Sequence, residues 1–365
     1  MLKVRSIIFE AVSGCNWRCG FCYNVWHADS GYRVGQLSTR QTKRILSRAI
    51  GESGCELVSF SGGEPLMRKD IVELISFVRS LGVRVNLLTN GSLLTAHGIR
   101  ELTDAGVSMF QLPLHSSDRE VFRELTGADS FDAITEAFVD IGLLGGQAAA
   151  VVVVTKRNLH TLAETLQMAC ALGARGVLLN RMNLGGRGLR HAAELFLSPA
   201  EVTEMLETAD EAAEKWGLPI ACPIPMPRCV VDTTRFRHLS FTDCAAGTDR
   251  NYVTLDALGN VRLCNHTPEV LGNLQRQSLR GVLSNPRARL FCEAVPHRCV
   301  GCAHVKECRG GCKAAVLVAY GTLSKADPLV EEQSGPFSAS DEDAFPSACD
   351  GRPGNGQAQA PLRTS

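Results

Sequence analysis

An α/β fold is predicted, an open barrel of six strand–helix units followed by a small cysteine-rich domain. Three observations predict it. Apolar β-rich runs alternate with amphipathic segments over residues 1–218. Three thiols crowd into residues 15–22, directly after the first apolar run. Cysteine density rises again beyond residue 219.

Taken in order, the β-rich runs are residues 7–13, 57–61, 83–89, 109–114, 149–155 and 176–181. Amphipathic segments at 39–51, 69–81, 95–105, 131–144, 159–172 and 198–216 accompany them. Alternation at this spacing implies a parallel sheet with helices outside it. Six units make a partial (β/α)6, TIM-like barrel rather than the full eight-fold one. Sites of such barrels lie at the C-terminal ends of the strands. The cysteine loop follows the first strand, where that rule puts a site. Pro219, Pro223, Pro225 and Pro227 then break the helical pattern and mark a crossing into a second domain, residues 219–330. Residues 331–365 are polar, rich in Pro, Ser and Asp, and expected to be largely disordered.

Composition narrows the class. The chain has 365 residues, 45% of them hydrophobic, enough for one large or two ordinary domains. A formal net charge of zero gives no sign of a nucleic-acid or membrane partner. The N-terminus lacks a signal-peptide pattern, and no apolar run is long enough to cross a bilayer. Fifteen Cys would suggest disulfides in a secreted chain. Without a signal peptide, and in tight clusters, they point to metal binding in a reducing cytoplasm.

Cys15-x3-Cys19-x2-Cys22 suits an iron–sulfur cluster. A cubane has four irons, so three thiols leave one iron open to a substrate or cofactor. A zinc loop is the alternative, but zinc usually takes four paired Cys or His ligands. With Phe21 as the aromatic before the last Cys, the stretch resembles the signature of the radical S-adenosylmethionine (SAM) enzymes. That resemblance implies a [4Fe-4S] cluster whose open iron chelates SAM. It also implies reductive cleavage to a 5′-deoxyadenosyl radical, which takes a hydrogen atom from substrate.

Further motifs follow the strand ends. Gly62-Gly63-Glu64 resembles the family's GGE motif, which holds the SAM amino group. An ordinary strand-to-helix turn is the alternative. Thr89-Asn90-Gly91 matches a Thr-Asn-Gly that the family often has near SAM. Ser116 and Ser117 could donate to the SAM ribose or carboxylate, whereas His115 suits packing at the barrel mouth. Arg181 either pairs with the SAM carboxylate or caps the barrel mouth. Gly185, Gly186 and Gly188 suggest a mobile loop over the site.

Beyond residue 219, residues 253–255 and 261–263 flank a hairpin-like turn. Cys244, Cys264 and the run Cys299-x2-Cys302-x5-Cys308-x3-Cys312 resemble the SPASM extension, which carries two auxiliary iron–sulfur clusters. The resemblance implies Cys244, Cys264 and Cys312 on the first and Cys299, Cys302 and Cys308 on the second. Two positions depart from the pattern. Asp249 and Arg250 stand where some relatives have a further Cys, so that iron is open or Cys229 supplies the ligand. After Asp327-Pro328 the last expected Cys is missing. Either Cys349 in the tail or Asp327 replaces it, and the softer thiolate favours Cys349. Cys222, Cys229 and Cys292 are candidates to return a hydrogen atom to a product radical.

SPASM enzymes mostly modify ribosomally made peptides or proteins, by crosslinking, epimerisation or oxidation. The expectation is therefore a peptide-maturing enzyme served by a reductant such as flavodoxin or ferredoxin. Sulfatase maturases have an Asp after the Cys matching Cys264; here Asn265-His266 follow, with His266 a weaker candidate base. Only fourteen residues precede Cys15, which suggests a separate leader-peptide-binding protein. The alternatives are a radical dehydrogenase or rearranging enzyme acting on a small molecule such as an aminocyclitol, and a non-catalytic cluster scaffold.

Overall fold

The computed structural model describes residues 4–27 and 31–330, so Cys349 lies outside the described residues. The six expected units are present. They run β1 (Ser6–Val12), α1 (Thr39–Ser53), β2 (Leu57–Gly62), α2 (Ile71–Ser80), β3 (Arg84–Leu88), α3 (Ala96–Asp104) and β4 (Val107–Pro113). Then come α4 (Arg119–Thr126), α5 (Phe131–Leu143), β5 (Ala148–Val154), α6 (Leu162–Ala171) and β6 (Val177–Arg181). After them follow α7 (Gly186–Arg190), α8 (Ala192–Leu195), α9 (Pro199–Trp216), β7 (Ile220–Cys222), β8 (Leu239–Phe241), β9 (Tyr252–Leu255), β10 (Asn260–Arg262) and β11 (Gly272–Asn273).

The eleven strands among the described residues form one sheet, ordered β11-β10-β9-β1-β2-β3-β4-β5-β6-β7-β8. Neighbours from β1 to β8 are parallel. The sheet thus exceeds the six expected strands at both ends. β7 and β8 extend the last unit, and β9 pairs parallel with β1, Ser6 opposite Tyr252. The expected hairpin is β9–β10, antiparallel. The Asp256 carboxylate shapes its turn by accepting from the backbone of Leu258 (2.9 Å) and Asn260 (2.8 Å).

Strand periodicity separates core from site, because successive side chains point to opposite faces. Ile7, Phe9, Ala150, Val152 and Leu179 enter the core shared with Ile45, Leu46, Leu74 and Leu166 of the helices. Ile8, Val151, Val153, Leu178 and Asn180 line the interior cavity instead. Caps set the helix ends. Ser38 and Gln41 form a capping box on α1, Ser198 and Glu201 another on α9, and Gly54 and Gly217 close both helices at positive φ.

Two elements differ from expectation. α4 is an extra helix between β4 and α5. Asp118 accepts from Glu120 and Val121 N–H at its start, and Gly127 at φ 64° ends it. Those signals span only two turns, too few to stand out beside the stronger α5 pattern. The glycines at 185–188 do not form a mobile loop: Gly186–Arg190 is helical and packed. No helix among the described residues is long and apolar enough to cross a membrane.

Candidate iron–sulfur and SAM site

The loop after β1 is held from three sides. Carbonyls at the end of α4 accept from its backbone, Thr126 from Arg18 N–H (3.1 Å) and Leu125 from Gly20 N–H (2.9 Å). Trp17 stacks edge-to-face on Phe122 of α4. The unforeseen helix is thus a support for the cysteine loop.

Gly62 and Gly63 form the second side. A Cβ on Gly63 would lie 2.0 Å from the Gly14 carbonyl oxygen, and one on Gly62 2.3 Å from that of Val12. These glycines admit the cysteine loop's own backbone, which hydrogen-bonds to Gly63 and Glu64 N–H. Gly63→Ala should therefore displace the loop. About 4 iron per chain should be lost after anaerobic reconstitution, while the C-terminal cluster signals persist by electron paramagnetic resonance (EPR). Unchanged iron would remove this role.

On the third side α7 presses on the loop. A Cβ on Gly186 would meet the carbonyl oxygens of Cys22 (2.5 Å) and Asn24 (2.6 Å), and one on Gly188 that of Phe21 (3.0 Å). Arg187 between them favours the thiolate form of Cys15, Cys19 and Cys22. It is a functional candidate that the loop reading missed; the Gly-Arg-Gly spacing was its signal.

Glu64 is fully buried. Its carboxylate accepts from Leu66 N–H (2.9 Å), Thr89 Oγ1 (2.6 Å) and Asn90 N–H (2.7 Å), tying the ends of β2 and β3 together. Burial raises its pKa and the three donors counter it. Asn90 donates to Asn16 Oδ1 (2.7 Å) and reaches Cys15 Sγ at 3.9 Å. Ser116 is buried, paired with Thr161 (2.9 Å) and accepting from Asp118 N–H (3.0 Å), so its hydroxyl braces the β4 end. His115 packs edge-to-face on Phe21 and accepts from Val153 N–H at Nδ1. Burial lowers its pKa to about 3, so the imidazole is neutral.

A cavity of about 520 Å³ joins the two halves of the chain. Cys19, Phe21 and Cys22 lie on one wall and Cys244, Cys264 and Cys312 on another. Tyr23 and Asn265, which the sequence did not single out, bridge these walls by a 2.8 Å hydrogen bond to the Tyr23 hydroxyl. Arg181 borders the same space. Its Nη2 donates to Asp327 Oδ2 (2.5 Å) and to the Pro225 carbonyl (3.0 Å), while Nε and Nη1 are without partners. Asp327 also accepts from Cys312 N–H (2.8 Å) and Leu329 N–H (3.0 Å).

The Cys15, Cys19 and Cys22 set fits a cubane, whose binding displaces the thiol protons. Burial and the neighbouring thiols push Cys19 well above the ordinary thiol range, and burial pushes Cys22 up to about 11 and Cys312 up to about 12. Bare thiolates would be costly here, whereas metal binding removes the proton and compensates the charge. No three His, Cys, Asp or Glu side chains among the described residues converge as a single ion would require. A cubane instead takes one thiolate per iron.

Three assignments need correction. Cys292 is buried, with Gly247 packed on its Cβ, and Cys222 is buried in β7; neither lines the main cavity, so neither is positioned to return a hydrogen atom there. Cys229 lies beside Cys299, Cys302 and Cys308, not beside the first auxiliary set, nor on the main cavity. Asp327 is committed to Arg181 and the backbone at Cys312 and Leu329. His266 does line the cavity, against Tyr23 and Cys264, with burial lowering its pKa to about 3.

Fold and thiol sets together define an iron–sulfur α/β-barrel protein. Residues 9–169 match the radical SAM superfamily, and residues 244–313 match SPASM, an iron–sulfur cluster-binding domain. The chain is a radical SAM enzyme with a SPASM domain. The first domain type binds a [4Fe-4S] cluster and SAM, the second auxiliary clusters. The chain is 26% identical over 338 residues to the PqqA peptide cyclase of Rhodopseudomonas palustris, covering 88% of this chain and 85% of that one. It is 26% identical over 343 residues to the AdoMet-dependent heme synthase of Methanosarcina barkeri, covering 89% and 95%. Streptococcus suis SuiB bound to S-adenosylmethionine shares the fold, with TM-score 0.70, 17% identity and coverage of 89% and 76%. So does anSMEcpe with bound AdoMet, with TM-score 0.66, 17% identity and coverage of 90% and 93%.

Proposed function

We propose that this enzyme modifies a ribosomally made peptide or protein by crosslinking, epimerisation or oxidation. One observation carries the reading: a single cavity, mostly apolar, is bordered by the SAM-side thiols and by Cys244, Cys264 and Cys312. A side chain of a substrate chain could enter it between both sets. Similarity to PqqA peptide cyclases supports this.

When bound, the cluster and SAM supply reductive cleavage and hydrogen-atom abstraction. The chain's residues do the rest. Cys15, Cys19 and Cys22 would hold the cluster. Glu64 and Asn90 fix the backbone around it, and Gly62 and Gly63 bring that backbone close. Arg181 borders the cavity, held by Asp327 and the Pro225 carbonyl. Ile8, Leu88, Val151 and Val153 exclude water that would quench a radical. Cys244, Cys264 and Cys312, which line the cavity, would hold the first auxiliary cluster.

A low-potential flavodoxin or ferredoxin would supply the electron, in the cytoplasm. A small-molecule substrate is the second reading, favoured by equal identity to the heme synthase. The test supplies the reconstituted enzyme with SAM, a strong reductant and short peptides encoded beside its gene. Mass spectrometry should find 5′-deoxyadenosine together with a peptide that has lost hydrogen or gained solvent deuterium. Turnover with small molecules alone would sink the peptide reading.

A further inference from the structure

The second auxiliary thiol set contains a member from an unexpected direction. Cys299, Cys302 and Cys308 line one small cavity near the surface, and Cys229 lines it with them. Cys229 comes from the proline-rich crossing between β7 and β8, 70 residues before Cys299 and outside the matched SPASM segment. A local turn carries it there: Val230 and Val231 N–H both donate to the Pro227 carbonyl, at 3.0 and 3.1 Å.

Asp327 does not compete for this place. Its neighbour Ala326 faces the cavity, but its own carboxylate is spent on Arg181, Cys312 N–H and Leu329 N–H. Positive charge is at hand, because Arg228 lines the cavity.

We propose that Cys229 is the fourth protein ligand of the second auxiliary cluster, closing a four-thiolate set with Cys299, Cys302 and Cys308. The two auxiliary sites then differ in kind. Three thiols beside the main cavity leave an iron open there. Four thiols here leave none, so this cluster suits electron transfer and not substrate binding.

The test uses the full chain carrying Cys15, Cys19 and Cys22→Ala, reconstituted anaerobically. This background should hold about 8 iron and give two reduced-cluster EPR signals. Adding Cys229→Ala should remove or alter one signal and bring iron toward about 4, half the starting content. Adding Cys229→Ser, which offers an oxygen ligand, should keep the iron and shift the same signal. Adding Cys349→Ala should change neither. Persistence of the other signal shows that the C-terminal region is folded. If Cys229→Ala loses both signals through misfolding, an unshifted Cys229→Ser spectrum overturns the proposal. So do an unchanged Cys229→Ala spectrum, loss of a signal in Cys349→Ala, or stoichiometric zinc. No arm involves a substrate, so a failed peptide assay leaves this result independent.

Discussion

Alanine at Cys15, Cys19 and Cys22 together should end 5′-deoxyadenosine formation and lower iron from about 12 to about 8 per chain. The effect is all-or-none because these thiols share one loop and no other thiol lines the main cavity on that side. The mutant should keep its fold, since the loop is anchored by backbone bonds to α4 and by Trp17 on Phe122, not by the thiols. The measurements are iron and sulfide content with chromatography of the SAM products. About 4 iron in the wild type and almost none in the mutant would mean that the C-terminal thiols carry no clusters. Undiminished SAM cleavage in the mutant would remove the triad from the chemistry.

Asp327→Ala should be strongly destabilising. It leaves Arg181, which is 1% exposed, as an unpaired buried cation. It also strips the acceptor from Cys312 N–H. Breaking one side of a buried pair costs about 3–5 kcal/mol, which for a chain of this size lowers an apparent Tm by roughly 4–7 °C. Removing both charges, as Arg181→Met with Asp327→Leu, should recover most of that loss, because a paired buried bridge is worth little against apolar packing. Thermal scans of the three variants after identical reconstitution test this. A double variant no better than Asp327→Ala would show that the carboxylate acts through the Cys312 backbone instead.

The fold was legible where periodicity was strong. β1, β2, β5 and α9 carry unbroken apolar patterns and turned up within a residue or two of expectation. The helix α4 was not, because its signals are local caps on a short segment. Its value lies in contacts with residues 18 and 20, a hundred positions away. The thiol triad was readable because its ligands sit on one loop. The role of Cys229 was not, since no spacing rule joins position 229 to position 299. Gly62 and Gly63 were read as part of a SAM-binding motif, but what approaches them closely is the chain's own loop. Arg181 was noticed, yet its partner Asp327 is 146 residues on.

The parallel pairing of β1 with β9 also bears on how the chain is made. Ser6 emerges from the ribosome first and meets Tyr252 only after 246 further residues. At about 5–20 residues per second, the open edge of β1 waits roughly 12–50 s for its neighbour. An unpaired, apolar strand edge recruits other chains. A truncated chain ending near residue 218 would keep that edge permanently. Soluble yield should therefore depend on synthesis through residue 255, and chaperone cover during that wait should favour the full-length product.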